Sequence, residues 1–327
     1  MRIRSFAKIN LGLEVLRKRA DGYHDIKTLF QWIDLHDTIS LELLETSEIR
    51  LSGDDPAIPW DETNLVHRAA KLLQQKSGVR RGAEIRVEKR IPAGRGLAGG
   101  SGDAAMTLFG LDRLWDCRAS RQDLRALGAD LGSDVAYFLE GGLCLGEGRG
   151  EVLTPLPDLP NLPLVLALPG FPVPTAQIYA SLPRTALTSD PKDSRIDGFL
   201  GTRDFGSLEN RLEDAIFSLY PQLKEYKSLF REHGAELSLV TGSGSAVYGL
   251  FRDRGAAGEC LAVMRGRGVA AAAVTLSREQ GWNAIDAGAS PSGKAADFGS
   301  AIRGFESSRP SFWDRVRTKD DVKRNRP

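Results

Sequence analysis

The chain has 327 residues, of which 41% are apolar and 27% charged, and its formal net charge at pH 7 is +1. This length allows two domains of ordinary size, and the small net charge gives no reason to expect nucleic acid or a membrane as the main partner. Three cysteines far apart and four histidines without metal-ligand spacing argue against disulfides or a zinc site and favour a reducing compartment. The sequence lacks an apolar run typical of a signal peptide or a membrane span, so we expect a cytoplasmic protein.

The first 80 residues predict strands around one helix. Segments with largely alternating apolar residues predict strands at residues 3–16, 27–34 and 37–44. A polar turn with Asp-Gly at its centre follows the first strand, and residues 63–75 have apolar residues at helical spacing. Lys8 and Asn10 interrupt the first strand. A lone lysine in a strand usually faces solvent, so a structural role is the simplest interpretation of Lys8.

Residues 84–116 contain a strand, a glycine-rich loop and a helix in succession. Pro92 ends the strand, and five glycines fall within the next ten residues. We expect Ser101 or Asp103 to cap the helix. This arrangement presents backbone N–H groups and the positive end of a helix to an anion. A plain turn is the alternative, but each glycine costs conformational entropy, so a phosphate-binding loop is favoured.

Two known nucleotide-binding signatures fit the sequence poorly. Residues 94–99 read G-x-G-x-x-G, but the dinucleotide fingerprint also needs a second strand with an acidic residue about 20 positions on. A helix is predicted there instead. Residues 288–295 come within one residue of G-x-x-x-x-G-K-S/T, yet Ala295 lacks the hydroxyl that would hold magnesium. We attribute this second match to chance.

The second half of the chain predicts the mixture of strands and helices typical of an α+β domain. Asp134, just before an apolar run, is most simply a helix cap or turn residue, and a Pro-rich crossing at residues 155–160 is the expected domain boundary. The sequence predicts a hairpin at 141–151, strands at 162–168, 237–240, 247–251 and 269–276, and helices at 120–127, 209–219, 221–232 and 256–265. Residues 184–206 predict a loop, and the pattern fades from about residue 281.

The order of residues in the glycine loop, Pro-x-Gly-x-Gly-Leu-x-Gly-Gly-Ser-x-Asp-Ala-Ala over residues 92–105, resembles the phosphate loop of the GHMP kinase superfamily. Other segments resemble further motifs of these kinases in the right order: Ala-Lys-Ile-Asn-Leu at 7–11, Arg-Ala-Asp-Gly-Tyr-His at 19–24, Asp134, and Thr-Gly-Ser-Gly-Ser at 241–245. The resemblance covers roughly residues 5–280.

The resemblance implies a two-domain α+β GHMP kinase fold. The expected domains are an N-terminal ATP-binding and catalytic domain like ribosomal protein S5 domain 2 at 1–157, a ferredoxin-like C-terminal domain at 158–284, and a tail at 285–327. The tail is basic and low in apolar content, so we expect it to be disordered.

The resemblance also implies an ATP-dependent kinase that uses Mg²⁺ and phosphorylates an alcohol. Asp134 would be the base that takes the hydroxyl proton, and Lys8 the cation that favours the alkoxide and the transferred phosphate. The implied ATP-binding residues are Lys89, Pro92, Ala93, Gly94, Arg95, Gly96, Leu97, Ala98, Gly99, Gly100, Ser101 and Gly102. Lys89 is explained equally well as a solvent-exposed charge at the end of the strand. Arg95, Ala98 and Gly102 depart from the usual loop of these kinases. The protein ligands of Mg²⁺ are not identified.

The Tyr23-His24 pair favours one branch of these kinases. An aromatic ring stacks on a pyrimidine while an imidazole bonds its edge, and Tyr179 lies at a second stacking position of that branch. The implied acceptor is a small molecule, a cytidine-diphosphate-linked methylerythritol, phosphorylated on its 2-hydroxyl in non-mevalonate isoprenoid biosynthesis. The implied substrate-binding residues are Asn10, Tyr23, His24, Thr175, Tyr179 and Asn210. A homoserine or mevalonate type of kinase is the alternative, and a non-catalytic nucleotide-binding member is less favoured. The oligomeric state is open.

Overall fold

The computed structural model describes residues 1–183, Leu187 and 194–288, and all of these residues belong to one compact unit. The tail predicted to be disordered lies outside the described residues from residue 289 onwards. Within the described part of the chain, no helix is both long enough and apolar enough to cross a membrane.

The first sheet has six strands and is built around one very long strand. Its strands are β1 (Arg2–Lys18), β2 (His24–Leu44), β3 (Ile49–Gly53), β4 (Gly82–Glu88), β5 (Leu143–Glu147) and β6 (Val152–Pro155), in the order β3-β4-β2-β5-β6 with β1 also paired to β2. Because β2 has 21 residues, one of its edges pairs with β4 at residues 38–44 and with β5 at 28–31, while β1 follows the other edge. The two strands predicted at 27–34 and 37–44 are therefore one continuous strand.

The central part of β1 is buried on both faces, which contradicts the solvent-facing position expected for Lys8. Alternate side chains of β1 enter two different cores: Phe6 packs in the core of the first sheet and its helices, whereas Ile9 and Leu11 pack with residues of the second sheet. A strand covered on both sides leaves no solvent face. Lys8 is therefore only 4% exposed.

Four helices belong to the first half of the chain: α1 (Leu65–Ser77), α2 (Gly99–Leu114), α3 (Arg121–Leu131) and α4 (Ser133–Glu140). The expected caps of α2 are wrong, since the helix begins earlier than predicted. Its N-cap is Ala98, which has φ 55° and ψ 32° and provides no side-chain hydrogen bond. Ser101 and Asp103 instead lie inside the first turns of the helix.

The second sheet is a four-stranded antiparallel sheet with helices around it. Its strands are β7 (Pro163–Ala167), β8 (Leu237–Val240), β9 (Val247–Leu250) and β10 (Ala270–Val274), in the order β10-β7-β9-β8. The remaining helices are α5 (Thr175–Ala180), α6 (Arg195–Thr202), α7 (Glu213–Leu219), α8 (Leu223–Glu232), α9 (Arg254–Arg265) and α10 (Arg278–Gly288). The chain leaves the first sheet at Pro155 and enters the second at Pro163; the domain limits themselves stay a prediction.

Two sequence expectations in this half need correction. Helix α6 and a short 3-10 helix, Phe205–Ser207, lie in the segment predicted as a loop, of which residues 184–186 and 188–193 fall outside the described residues. The sequence signal of α6 was weak because the helix buries only Ile196 and Phe199. Helix α10 continues through the region where the pattern was expected to fade.

Candidate active site

One cleft of about 1160 Å³ brings together most of the residues singled out in the sequence. It is lined by the phosphate loop, by β1, by the turn before β2, by the first residues of α4, by α5 and by the loop between β8 and β9. A pocket for one drug-sized ligand usually has roughly 300–1,000 Å³, and this cleft is slightly larger than that. The predicted residues that line it are Lys8, Asn10, Tyr23, His24, Lys89, Pro92, Ala93, Gly94, Arg95, Gly96, Ala98, Gly99, Gly100, Ser101, Asp134, Thr175 and Tyr179.

Three predicted residues lie behind the walls of the cleft. The side chain of Leu97 is buried, and its carbonyl accepts a hydrogen bond from the backbone N–H of Lys8 at 3.1 Å. A Cβ atom on Gly102 would lie 2.9 Å from Oγ of Ser5, so this glycine packs against β1. Asn210 is buried and donates to the carbonyls at 240 and 242, both at 2.8 Å. These residues therefore stabilise the segments that line the cleft.

The phosphate loop approaches the opposite glycine loop closely. Gly94 and Gly96 have φ values of 68° and 78°, in the left-handed region that favours glycine. A Cβ atom on Gly96 would lie 2.0 Å from the carbonyl oxygen of Thr241, so the two loops touch only because this residue has no side chain. Helix α2 begins at Gly99 and points the positive end of its dipole into the cleft at Gly99–Ser101.

Lys8 is a buried cation beside two polar groups of the cleft. Its Nζ donates to Oδ1 of Asn10 at 2.6 Å and lies 5.5 Å from the centroid of the Phe30 ring. Burial lowers the pKa of Lys8, and the negative charge of Asp134 opposes that effect. Among the described residues, Lys8 and Asp134 form no ion pair within 4.0 Å. The two charges therefore influence each other without direct contact, and both side chains line the cleft.

Asn10 fixes this part of β1 in place. Its backbone N–H donates to Oγ1 of Thr241 at 3.1 Å, and its carbonyl accepts from the hydroxyl of Tyr248 at 3.0 Å. Its side-chain nitrogen donates to Oγ1 of Thr28 at 2.8 Å. Lys8 is therefore held on a strand that is bonded to both glycine loops, the phosphate loop through Leu97 and the other through Thr241.

Aromatic side chains line another part of the cleft. The rings of His24 and Tyr179 are stacked, with centroids 5.1 Å apart and an interplanar angle of 28°. Tyr23 is 59% exposed, and the guanidinium carbon of Arg149 lies 5.2 Å from the centroid of its ring. Burial and the charge of Lys18 both lower the pKa of His24. A neutral imidazole at pH 7 has one donor and one acceptor for the edge of a base.

Sequence reasoning missed several residues of the cleft. Arg149 lies at the tip of the β5–β6 hairpin, where only the glycines had marked the segment. Trp60 and Asn64 line a separate wall, and nothing in their sequence context indicated it. Asp103 lines the cleft and pairs with Lys89. The buried Asp37 pairs with Lys89 as well. Buried ion pairs between distant segments have no local sequence signal.

Both halves of the chain match one protein family. Residues 64–142 match the GHMP kinases N terminal domain, and residues 200–270 match the GHMP kinases C terminal domain. The structure of homoserine kinase from Cytophaga hutchinsonii shares the fold, with a TM-score of 0.68 over 86% of this chain and 96% of that one at 21% identity. Fold and cleft together therefore define a GHMP kinase, which confirms the predicted fold class.

Relatives with higher sequence identity indicate which family of GHMP kinases this is. The 4-diphosphocytidyl-2-C-methyl-D-erythritol kinase of Alkaliphilus metalliredigens is 39% identical over 261 residues, which are 79% of this chain and 90% of the relative. That of Gloeobacter violaceus is 41% identical over 275 residues, 81% of this chain and 90% of the relative. A crystal structure of 4-(cytidine 5'-diphospho)-2C-methyl-D-erythritol kinase matches with a TM-score of 0.73 at 36% identity, over 84% of this chain and 99% of that one. The chain belongs to the 4-diphosphocytidyl-2-C-methyl-D-erythritol kinase family.

Proposed function

We propose that the protein transfers the γ-phosphate of ATP to the 2-hydroxyl of 4-diphosphocytidyl-2-C-methyl-D-erythritol, a step of non-mevalonate isoprenoid precursor biosynthesis. One observation carries the proposal: a single cleft contains an anion-binding loop, the Lys8–Asn10 pair with Asp134, and a stacked aromatic pair. The names of the relatives support this substrate. The unpaired cysteines Cys117, Cys144 and Cys260 support a reducing compartment, the cytoplasm.

ATP is assigned to the phosphate loop. Backbone N–H groups between Gly96 and Ser101 and the dipole of α2 attract its phosphates, and the guanidinium of Arg95, which donates to Oγ of Ser245 at 3.3 Å, adds positive charge beside the loop. Mg²⁺ is proposed to enter with the nucleotide, because proteins commonly bind it through one or two carboxylates plus substrate phosphates. The described residues contain no cluster of three or more His, Cys, Asp or Glu for a metal, so phosphate oxygens and water would supply most of the ligands of this ion. Bound Mg²⁺ would neutralise charge on the phosphates.

Asp134 and Lys8 are assigned to the transfer itself. Two carboxylates line the cleft, and Asp103 is paired with Lys89, whereas Asp134 makes no hydrogen bond or ion pair with the described residues. Asp134 is therefore the carboxylate available to take the proton of the acceptor hydroxyl. The buried ammonium of Lys8 stabilises the negative charge that develops on the acceptor oxygen and the transferred phosphoryl group.

Binding of the cytosine is assigned to the aromatic side chains of the cleft. Tyr23 and Tyr179 stack on the ring, and neutral His24 bonds its edge; base–aromatic stacking contributes roughly 1–3 kcal/mol per base. Arg149 supplies positive charge for the diphosphate. Thr175 supports this pocket through its hydrogen bond with Ser243 at 2.8 Å, and Asn210 supports it through the carbonyls of the β8–β9 loop.

The proposal is tested by ADP release in a coupled assay. We expect release with the cytidine-diphosphate substrate and far slower release with the same alcohol lacking the cytidine, with homoserine or with mevalonate. Faster turnover of homoserine or mevalonate would overturn the substrate assignment. A nucleotide-dependent melting shift with no ADP release from any acceptor would indicate a binding protein.

A further inference from the structure

A buried ion cluster lies under the phosphate loop. Nζ of Lys89 donates to Oδ2 of Asp37 at 2.5 Å and to Oδ2 of Asp103 at 2.7 Å. The side chains are 7%, 0% and 3% exposed, respectively. The three residues come from three elements, because Asp37 belongs to β2, Lys89 follows β4 and Asp103 lies in α2.

The cluster joins the two ends of the phosphate loop. Oδ1 of Asp37 accepts the backbone N–H groups of Arg90 at 2.5 Å and Ile91 at 2.8 Å, where the loop begins. At the other end, a Cβ atom on Gly99 would lie 2.8 Å from Cγ2 of Ile91 and 3.4 Å from Oδ2 of Asp37. Asp103, one turn further along α2, completes the connection through Lys89. The entry and exit of the loop are therefore held against each other by three side chains.

The charge of Lys89 is already balanced within this cluster. Burial alone would lower the pKa of Lys89, but the negative charges of Asp103 and Asp37 outweigh it and raise that pKa. Burial raises the pKa of Asp103, the charge of Lys89 opposes this effect, the charge of Asp37 adds to it, and the Ser5 hydroxyl opposes it. Two of the three ammonium protons are used by carboxylates. Little of this cation remains for the phosphates of a nucleotide.

We propose that Lys89 is a positioning residue: with Asp37 and Asp103 it forms a clamp that sets the distance between the two ends of the phosphate loop, and it acts on nucleotide binding through the loop. This inference rests on the proposed function in taking a nucleotide as the ligand of the loop. The alternative is that Lys89 binds the phosphates directly.

A set of charge-removing substitutions distinguishes the clamp from direct phosphate binding. For each variant the dissociation constant of MgADP is measured by calorimetry. Lys89→Met leaves two buried carboxylates unpaired, so a clamp predicts binding weaker by roughly tenfold or more. The double variant Asp37→Asn/Asp103→Asn leaves a buried ammonium unpaired and weakens binding similarly. The triple variant, with all three substitutions, removes every charge but keeps an oxygen at Asp37 for the two backbone N–H groups. It is expected to bind within roughly threefold of wild type, because the effects of contacting residues do not add.

If Lys89 binds the phosphates directly, the variants are expected to have the opposite order of MgADP affinity. The double variant would then bind as well as wild type or better, since Lys89 is released from its partners, and the triple variant would be as weak as Lys89→Met. That result overturns the clamp. Turnover gives a second readout: in Lys89→Met the KM of ATP is expected to rise while the KM of the acceptor stays near its wild-type value, whereas a general structural defect would change both.

Hydrogen exchange of the loop amides tests the clamp without any nucleotide. We expect the amides between Gly94 and Gly100 to exchange faster in Lys89→Met and to return to wild-type rates in the triple variant, so the clamp can be judged even if the proposed reaction proves wrong. Unchanged exchange in Lys89→Met would refute the clamp. The matched control is the ion pair of Lys27 with Asp197, at 2.6 Å, which does not contact the loop; neutralising it is expected to change neither exchange nor MgADP affinity.

Discussion

Replacing Lys8 by methionine is expected to stabilise the protein while nearly abolishing its activity. Lys8 is 4% exposed, and its ammonium has one hydrogen bond, one aromatic ring and the negative charge of Asp134 as partners. Burying an ion costs several kcal/mol, whereas a hydrogen bond from a charged group returns about 1.5–3 kcal/mol and a cation–π contact about 0.5–2 kcal/mol. An unbranched methionine fills the same space. Because the pKa of Lys8 is lowered, burial outweighs these partners, and we expect a gain of about 1 kcal/mol in the free energy of unfolding at pH 7.

The activity of the same variant should change in the opposite direction. Removing one group that stabilises charge in a transition state typically lowers kcat by about 10²–10³. ADP release with the cytidine-diphosphate substrate measures kcat, and urea unfolding at pH 7 measures stability. The matched control is Lys27→Met, a lysine of β2 paired with Asp197; it should cost less than about 1 kcal/mol and leave kcat unchanged. A destabilised Lys8→Met variant, or one with kcat within tenfold of wild type, would refute the reasoning.

The pH dependence of this effect has a defined sign. Burial lowers the pKa of Lys8 below its ordinary value of 10.5 in the folded protein. Between the lowered pKa and 10.5 the unfolded chain therefore binds more protons, and wild-type stability rises with pH in that window. Lys8→Met lacks this rise, so its advantage over wild type is largest below the window and shrinks as the pH approaches 10.5. A constant difference across that range would contradict the assignment.

Three further substitutions test separate parts of the cleft. Asp134→Asn should lower kcat by about 10²–10⁴ with the affinity for MgADP unchanged; full activity would exclude this residue as the base. Gly96→Ala places a Cβ atom 2.0 Å from the carbonyl oxygen of Thr241 at a φ of 78°; it should destabilise the protein by more than about 1 kcal/mol and weaken nucleotide binding, which melting and calorimetry would detect. Tyr179→Leu should raise the KM of the cytidine-diphosphate substrate roughly tenfold or more without changing the KM of ATP, and equal changes in both would argue against stacking.

The local parts of the fold were predictable from the sequence, and the parts that depend on tertiary packing were not. The strand, glycine loop and helix were found because their signals are contiguous in the chain. The burial of Lys8 was missed because a strand with alternating apolar residues usually has a solvent face, whereas here Lys8 lies against Asn10 and the Phe30 ring in the cleft. The continuity of β2 was missed because polar residues between 34 and 37 suggested a break.

The residues of the site were also predictable only where they have a local sequence signal. Family motifs pointed to most residues of the cleft, but they gave no indication of Asp37, which lies more than 50 positions from the loop residues it holds. They also could not explain Ala98. Its φ of 55° is a conformation that glycine adopts more easily, so the structure gives no reason for an alanine at this position. Replacement by glycine is expected to relieve that strain.

The position of Lys8 and Asn10 on a central strand bears on how such enzymes acquire new substrates. Lys8 and Asn10, which we propose to assist the transfer, lie on a strand bonded to both glycine loops. Tyr23, Arg149 and Tyr179 belong to a turn, a hairpin tip and a short helix at the periphery. Peripheral segments tolerate insertion and replacement far better than a doubly buried strand. A lineage can therefore exchange the alcohol it phosphorylates by rebuilding those three segments, and inherit the phosphoryl-transfer apparatus unchanged.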